Sequence, residues 1–305
     1  MTHKNCFYCN EKSNLYLKSS NKDLNKKYNF TSTEADTSEN EIKPDLYFCK
    51  DCEIIFSEFI DIKFEDNYRD VLDNVYISQI NNKKIYFKSI IDKLSNKIKE
   101  NHDVLELGSY YGAFGSQIKD KVNSYIGVEL SSHACNYAKN NFNLNIENSN
   151  IYDFFEKNEK KYDIIFMFDV LEHLDDPDSI LNKCSNNLKE DGLLIFSTMN
   201  MDSLMAKISG KHYPWIIPMH KFYFTNKSVE KFLLKNHFNL NKIIGDIRII
   251  SLEYLFLKIS QKIPFFKHIY NFIIKFDKIK NISIKFSLFD INIYLASKNI
   301  SNQRN

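Results

Sequence analysis

Between residues 103 and 236 the sequence alternates short β-rich runs with segments whose apolar residues recur at helical spacing. We predict strands near 103–107, 124–128, 163–168 and 192–198, and helices near 113–121, 132–141, 179–188 and 227–236. Strands that alternate with helices predict βαβ units, in which the strands run parallel and the crossovers are right-handed. The expected fold is therefore α/β, with a doubly wound, mostly parallel sheet.

The length of the chain leaves room for more than this sheet. A single hydrophobic core stops growing at about 250 to 300 residues, so 305 residues predict one main domain with an appendage. We expect a cysteine-containing module at 1–60, a helical connector at 61–100 and the main domain at 101–305. A polar stretch from Ser19 to Lys43 is expected to be a mobile loop inside the module.

The first predicted strand runs into a glycine turn that opens a helix. Residues 104–114 read VLELGSYYGAF. A ligand approaches the backbone most closely where side chains are absent, and the free N–H groups of a helix start suit a carboxylate. Glu106 could hold an ammonium group, while Glu129 ends the next strand at about the interval at which an acid meets a ribose. This pattern indicates a nucleoside ligand; an ordinary turn with two solvated glutamates is the alternative.

A longer block carries a family resemblance. Residues 162–177 read YDIIFMFDVLEHLDDP, and residues 188–198 read LKEDGLLIFST. Here the chain resembles class I S-adenosylmethionine-dependent methyltransferases, whose fourth strand often runs into Asp-Val-Leu-Glu-His-Leu. It is similar to the subgroup with an N-terminal cysteine-pair module and a later His followed by aromatic residues, which matches HKFYFT at 220–225. The resemblance spans most of the chain and implies a Rossmann-like methyltransferase fold.

The resemblance also implies that S-adenosylmethionine is the cofactor, and it assigns residues to it. The methionine part would be surrounded by Glu106, Gly108, Ser109 and Gly112, and the ribose would be held by Glu129. The adenine and the methyl group would lie near Asn150, Ile151, Phe168 and Asp169. Tyr110 departs from the family pattern, because it replaces the usual middle glycine. Its ring must therefore turn away from the cofactor or lie over it.

Two Cys-x-x-Cys pairs, Cys6 with Cys9 and Cys49 with Cys52, have the spacing at which four thiolates share one tetrahedral zinc ion. The chain start contains no apolar signal-peptide core, so we expect a cytoplasmic protein, in which paired cysteines favour a metal over a disulfide. Four protein ligands would close the site and make the zinc structural. Four reduced thiols without a metal are the alternative.

Methyl transfer requires the acceptor to be aligned with the methyl group and, for a hydroxyl, the removal of a proton. His220, after the fifth strand, is the first candidate for the base, and His173 is the second. Either could instead be a hydrogen-bonded structural histidine. Tyr76 on the connector could reach over the cofactor or simply pack as an aromatic residue.

The segment 251–285 combines many apolar residues with interleaved lysines. A basic amphipathic stretch can lie on a membrane surface. Alternatively, a helical insertion before the last strand can cap the acceptor pocket or form a homodimer contact. The closing strand of the sheet is expected at 286–298.

These observations predict a methyltransferase for a small-molecule or carbohydrate acceptor, such as a nucleotide-linked sugar or a surface-glycan precursor, with O-methylation favoured. The net charge of +2 creates no global field that would attract nucleic acid, and no nucleic-acid partner is expected. Two alternatives stay open. One is RNA methylation with the cysteine module as an RNA grip, and the other is a catalytically silent interaction module that contains zinc.

Overall fold

The computed structural model describes residues 3–18, 43–61, 68–69, 72–262, 265–280 and 282–299. The expected mobile loop lies outside these ranges except for Lys43, as do residues 62–67, 70 and 71 of the predicted connector. None of the described helices is long and apolar enough to cross a membrane.

Strands and helices alternate along most of the described chain. The strands are β1 (His3–Asn5), β2 (Lys12–Leu17), β3 (Leu46–Cys49), β4 (Ile54–Ser57), β5 (Asp103–Leu107), β6 (Ser124–Glu129), β7 (Ile146–Asn148), β8 (Tyr162–Phe168), β9 (Leu188–Met199), β10 (Phe222–Tyr223), β11 (Phe238–Gly245), β12 (Arg248–Ser251), β13 (Ser283–Phe286) and β14 (Ile291–Lys298). The helices are α1 (Asn74–Ser78), α2 (Ile80–Lys93), α3 (Gly115–Ile118), α4 (Ser132–Phe142), α5 (Ile151–Lys157), α6 (Pro177–Asn187), α7 (Leu204–Ser209), α8 (Asn226–Lys235), α9 (Leu252–Lys262), α10 (Phe266–Ile273) and α11 (Asp277–Lys280).

The main sheet has the strand order β11-β14-β9-β8-β5-β6-β7. Strands β5 to β9 pair in parallel, and β14 is antiparallel to both β9 and β11. The four predicted strands form its centre, so the prediction of a mostly parallel α/β sheet is confirmed. Helices cover both faces because successive residues of each central strand point to opposite sides. For example, Leu105 packs in one buried cluster with α6 and Val104 packs in the other with α2.

Some predicted boundaries differ from the structure. The helix expected at 113–121 is α3 followed by a 3-10 turn at Lys119–Lys121. The closing strand expected at 286–298 begins only at Ile291, because Phe286 pairs with Arg248 in the separate β12–β13 ribbon. The sequence prediction missed β7, which has three residues, and β11, an edge strand with mostly exposed side chains.

The N-terminal strands form a second, antiparallel sheet with the order β1-β2-β3-β4-β10. Its last strand, β10, comes from the second half of the chain and pairs with β4 through Phe222 and Phe56. Both side chains are fully buried. The module predicted at 1–60 therefore shares a sheet and a core with residues that follow the fifth central strand.

Candidate active site

The carboxyl ends of β5, β6, β7 and β8 meet along one edge of the main sheet, where open α/β sheets bind their ligands. The glycine turn follows β5, Glu129 ends β6, Asn150 precedes α5, and Asp169 follows β8. The structure therefore brings the sequence-predicted cofactor residues to a common edge.

The glycine turn depends on two positions that tolerate no side chain. Gly108 and Gly112 have φ angles of +70° and +76°, which favour glycine. A Cβ at Gly108 would collide with the Val170 side chain, and one at Gly112 would lie 2.8 Å from the Ala138 Cβ. Next to them, the buried Ser109 hydroxyl has no hydrogen-bond partner among the described residues. The turn thus offers bare backbone, while the Ser109 hydroxyl lies against Gly127 of β6.

Glu129 organises the loops at the end of β6. Its two carboxylate oxygens accept the backbone N–H groups of Tyr110 and Ser131, at 2.8 and 2.7 Å. Burial raises the pKa of Glu129 to about 7. Each carboxylate oxygen can accept more than one hydrogen bond, so this side chain can hold the loop and still bind a hydroxyl.

Glu106 lies in β5, just before the glycine turn. It is buried and accepts a hydrogen bond from the Tyr125 hydroxyl. Burial raises its pKa well above the usual value for a glutamate. Since a buried carboxylate is stabilised in its charged form by a nearby cation, an ammonium group of a ligand would find a suitable partner here.

The predicted adenine-side residues have structural duties of their own. The Asn150 side chain caps α5 by accepting the Tyr152 N–H at 2.8 Å, and Ile151 is the first residue of that helix. Phe168 packs its ring 5.0 Å from that of Phe114 in the core. An adenine contact from Asn150 would therefore use its backbone rather than its capping oxygen.

Tyr110 holds the glycine turn against the connector. Its backbone adopts a φ of +46°, and its hydroxyl donates to Asp73 Oδ2 at 2.8 Å. The other oxygen of Asp73 caps α1 by accepting the Tyr76 N–H at 2.8 Å. The rings of Tyr110 and Tyr76 meet edge to face at 4.7 Å. The residue that replaces the middle glycine thus joins α1 to the predicted cofactor loop.

The two predicted catalytic histidines meet although they are far apart in the sequence. Their ring centres lie 4.5 Å apart, and one ligand atom from each lies within 4.8 Å of the carboxylate of Glu172. His173 Nδ1 bonds to the Met219 carbonyl at 3.2 Å, and His220 Nδ1 bonds to the Trp215 carbonyl at 2.8 Å. A carbonyl only accepts, so each Nδ1 carries the proton and each Nε2 is an acceptor.

Charge within this histidine cluster is suppressed by burial. Burial lowers the pKa of His173 to about 4 and that of His220 well below its ordinary value. Burial, followed by the nearby Asp169, raises the pKa of Glu172 to about 8. Glu172 Oε2 is buried without a hydrogen-bond partner among the described residues. Neutral imidazoles beside such a carboxyl group can take a proton from a ligand or hold a divalent metal ion.

His173 is better placed for chemistry than His220. His173 is partly exposed and interacts electrostatically with the exposed Asp169 at the end of β8. His220 is buried and its pKa responds to His173 instead. Sequence reasoning ranked His220 first and gave Glu172 no role, although Glu172 directly precedes His173 in the Asp-Val-Leu-Glu-His-Leu motif.

The sequence also did not predict a group of charged residues at the same edge of the main sheet, next to β11 and β14. Asp246, after β11, is buried, and its Oδ1 has no hydrogen-bond partner among the described residues. Asp246 interacts with Asp169 and with the Tyr86 hydroxyl on α2, and burial raises its pKa. Next to it, Arg248 pairs with both oxygens of Asp290, at 2.7 and 2.8 Å. No local motif marks these positions, because they meet only through the order of the strands.

The four N-terminal cysteines converge on one point. Their sulfur atoms all lie within 4.8 Å of one another, with Cys6 Sγ 3.9 Å from Cys52 Sγ and Cys9 Sγ 3.5 Å from Cys49 Sγ. Four sulfurs about 2.3 Å from a tetrahedral zinc would be about 3.8 Å apart. The observed distances lie on both sides of that value, so the residues fit a zinc ion.

Known proteins resemble the part of the chain that contains the main sheet, in sequence and in fold. Residues 79–243, more than half of the chain, match a family described as a methyltransferase domain. The ubiquinone biosynthesis O-methyltransferase of Glaesserella parasuis serovar 5 (strain SH0165) is 32% identical over 121 residues, which are 36% of this chain and 51% of that protein. The enzyme of the same name from Nitrosomonas europaea is 28% identical over 138 residues, covering 42% of this chain and 55% of that protein.

The chain thus spans about half the length of the curated relatives it matches. Among solved structures, a methyltransferase of Haloferax volcanii in complex with a methyltransferase activator aligns over 79% of this chain and 97% of its own. Its TM-score is 0.50 at 11% sequence identity. A likeness at this identity shows the fold alone, and the fold is that of Rossmann-like methyltransferases.

Proposed function

Since the chain belongs to the methyltransferase-domain family and is an S-adenosylmethionine-dependent methyltransferase, we propose that it methylates an oxygen atom of a small aromatic acceptor. The observation that carries this proposal is the pairing of the neutral His173 and His220 beside Glu172 at the end of β8. An oxygen nucleophile needs a base of this kind, because a hydroxyl must lose its proton during the transfer.

The cofactor assignment rests on the same edge of the sheet. When bound, S-adenosylmethionine supplies a methyl group on a positively charged sulfur. We assign its methionine part to Glu106 and the 108–112 turn, and its ribose to Glu129. Asp169 and Phe168 border the point where β8 ends, between this region and the histidine cluster. The alternative of a catalytically silent interaction module is set aside, because residues 79–243 match a methyltransferase domain.

Proton transfer would then proceed through His173. Its Nε2 is the free acceptor, since Nδ1 is bonded to the Met219 carbonyl. The acceptor hydroxyl would give its proton to Nε2 while its oxygen forms a bond to the methyl carbon, and the carbon–sulfur bond would break so that the sulfur leaves as a neutral thioether. His220, bonded to the Trp215 carbonyl, packs edge to face against His173 and fixes its orientation.

An aromatic acceptor suits the surroundings of this base. Tyr76 and Tyr86 on the connector helices lie near Asp169. A phenolic hydroxyl, moreover, loses its proton far more readily than a sugar hydroxyl. The curated relatives are O-methyltransferases of ubiquinone biosynthesis, which supports an oxygen nucleophile. Their names give no support to the carbohydrate acceptor expected from the sequence.

The acceptor class can be tested with methyl-labelled S-adenosylmethionine. We expect label transfer to catechol, whose ring carries two hydroxyl groups, and none to UDP-glucose or to aniline under the same conditions. Transfer to the sugar nucleotide or to the amine, but not to catechol, would reject the aromatic oxygen acceptor while leaving the methyltransferase assignment intact.

We also propose that Cys6, Cys9, Cys49 and Cys52 bind one structural zinc ion. The support is the convergence of the four sulfur atoms at distances that fit a tetrahedral ion. With four protein ligands the ion has no open position for a substrate. Its role is therefore to stabilise the sheet that contains β3, β4 and β10.

Replacing Glu129 with Ala should weaken cofactor binding about 10- to 150-fold, because a hydrogen bond to a charged group contributes about 1.5 to 3 kcal/mol. Titration calorimetry would measure the loss of affinity, with Glu147→Ala on the adjacent strand β7 as the matched control.

The Glu129 pKa of about 7 also predicts that cofactor affinity depends on pH. The ionised carboxylate is the better acceptor, so affinity should rise as the pH approaches 7 and then level off. Glu129→Gln should remove that dependence; a parental response in this variant would contradict the ribose role.

Tyr110→Phe should weaken cofactor binding about tenfold, because it removes the hydrogen bond that ties the glycine turn to Asp73. A double-mutant cycle with Asp73→Asn should show that the two effects are coupled rather than additive. Amide hydrogen exchange should also accelerate in α1. Tyr137→Phe, whose ring lies 5.3 Å from Tyr111, is the control. Additive effects with unchanged exchange would show that the connector is not part of the cofactor site.

A further inference from the structure

The insertion between β12 and β14 exposes an unusual number of aromatic side chains. We call residues 252–285, which contain α9, α10, α11 and most of β13, the basic insertion. Phe265 and Phe272 are 70% and 58% exposed, and Phe276, Ile274 and Ile282 are also exposed. Single exposed apolar residues are ordinary, but the rings of Phe272 and Phe276 lie against each other with centres 5.0 Å apart, and adjoining exposed apolar groups are typical of an interaction surface.

The same segment carries the positive charge of the protein. Its sequence has seven lysines against two acidic residues, Glu253 and Asp277, which give it a net charge of +5. The whole chain has a net charge of +2, so the rest of the chain is net negative. Exposed aromatic residues among lysines are the composition of a segment that lies in the interface of an anionic membrane.

The basic insertion is attached at the edge of the sheet that holds the proposed acceptor site. The chain leaves the main sheet after β11 and returns to it at β14, and these strands end and start beside Asp246 and Asp290. Two hydrogen bonds fix the insertion and its flanking residue to the connector, from the Ser251 N–H to Gln79 Oε1 at 3.3 Å and from the Ser283 hydroxyl to Asn82 Oδ1 at 2.6 Å. Both ends of the insertion are therefore fixed to the connector.

Size and charge argue against two other roles for this surface. A helix that spans a bilayer needs about 20 residues, whereas α9 and α10 have 11 and 8. A symmetric contact with a second copy would bring two segments of +5 together, and like charges oppose such a contact. A surface that is apolar and positive at once is complementary to anionic headgroups above acyl chains.

We propose that the basic insertion docks the enzyme on the surface of an anionic phospholipid bilayer. Phe265, Phe272 and Phe276 enter the interface, while Lys267, Lys275 and Lys278 lie among the headgroups. This would bring the acceptor edge towards the membrane, where an acceptor with a lipid tail resides. That last consequence rests on the proposed function, whereas the docking itself does not.

Vesicle sedimentation of the full chain tests the proposal without any methyl transfer. We expect binding to vesicles of phosphatidylcholine with about a third phosphatidylglycerol to be at least about tenfold tighter than to phosphatidylcholine alone. Raising the salt concentration should weaken it, because surface charges are screened. Equal binding to both vesicle types, or no binding to either, would overturn the proposal while leaving the methyltransferase function intact.

Two sets of variants separate the contributions of the aromatic and basic residues. Vesicle affinity should fall at least about tenfold in a triple serine variant, Phe265→Ser with Phe272→Ser and Phe276→Ser. It should fall as much in a triple glutamate variant, Lys267→Glu with Lys275→Glu and Lys278→Glu. The apolar control is Leu234→Ser with Ile243→Ser, which are exposed elsewhere. The charge control replaces the exposed Lys50, Lys99 and Lys121 by Glu. Unchanged cofactor affinity would verify folding.

Sedimentation velocity covers the competing explanation. A concentration-dependent dimer that the triple serine variant abolishes, combined with vesicle binding equal to that of the parent, would identify the surface as a contact between copies. It would thereby overturn membrane docking.

Discussion

Replacing His173 with Ala should lower turnover about 100- to 10,000-fold while leaving the dissociation constant of S-adenosylmethionine nearly unchanged. General base catalysis contributes about this much, and His173 is the imidazole that is both partly exposed and electrostatically linked to Asp169. Calorimetry should find a nearly unchanged dissociation constant, whereas steady-state kinetics should find the loss of turnover. A variant that loses cofactor affinity and thermal stability together would show that His173 is structural.

His220→Asn is the matched comparison. Asparagine can still donate a hydrogen bond to the Trp215 carbonyl, which in the parent accepts from His220 Nδ1 at 2.8 Å. Because His220 is buried and acts by orienting His173, we expect a smaller loss of turnover, about tenfold. If His220→Asn instead has the larger effect and His173→Ala the smaller, the roles are reversed and His220 is the base, as the sequence first suggested.

The pH dependence provides an independent check on the base. Burial lowers the pKa of His173 to about 4, so the imidazole is neutral and its Nε2 is unprotonated throughout the neutral range. The acid limb of kcat/KM should therefore fall well below the usual histidine value of about 6.5.

The same pKa shift affects the free energy of unfolding. Because the pKa of His173 is lower in the folded than in the unfolded chain, the stability that the neutral imidazole contributes is present above about pH 6.5 and is lost as the pH falls towards 4.

A metal at this cluster is the competing explanation for its geometry. The ligand atoms of Glu172, His173 and His220 lie within 4.8 Å of one another. Activity that survives a chelator, under conditions in which the cysteine site keeps the zinc ion proposed for it, supports His173 as the base. Activity that is lost and then restored by magnesium or manganese would assign the cluster to a metal instead.

Local sequence patterns were enough to predict the centre of the fold and to select residues that meet at one edge of the main sheet. The glycine turn is set by two positive φ angles, at Gly108 and Gly112, and by close contacts, and both leave a signature in the residues themselves. Strands β5, β6, β8 and β9 are buried apolar runs, which periodicity detects. The resemblance then supplied the identity of the ligand.

What the sequence could not predict depends on contacts between distant segments. His173 and His220 meet only because the segment after β9 folds back over the end of β8. The pairing of β10 with β4 joins the N-terminal sheet to that same segment, and a strand of two residues has no periodicity to detect. Asp246 and Asp290 come to the same edge of the sheet for a similar reason, since their positions follow from strand order.

Removing the proposed zinc ion should lower turnover, because a continuous path of backbone contacts runs from the cysteines to the proposed base. Cys49 ends β3, β3 pairs with β4, and β4 pairs with β10. The Ser57 N–H donates to the Lys221 carbonyl at 2.9 Å, and the Lys221 N–H donates to the Glu172 carbonyl at 2.8 Å. The N-terminal sheet therefore supports the turn that presents His173.

Cys49→Ser should accordingly reduce the zinc content from one ion per chain to near zero and lower turnover at least about tenfold, because loss of a structural metal unfolds the element it holds. Cofactor affinity should fall much less, since the glycine turn and Glu129 belong to strands on the other side of β8. Cys135→Ala, a buried cysteine outside the cluster, is the control. Protein that contains no zinc with all thiols reduced, or a Cys49→Ser variant with parental turnover, would show that the catalytic turn does not depend on a metal in the N-terminal sheet.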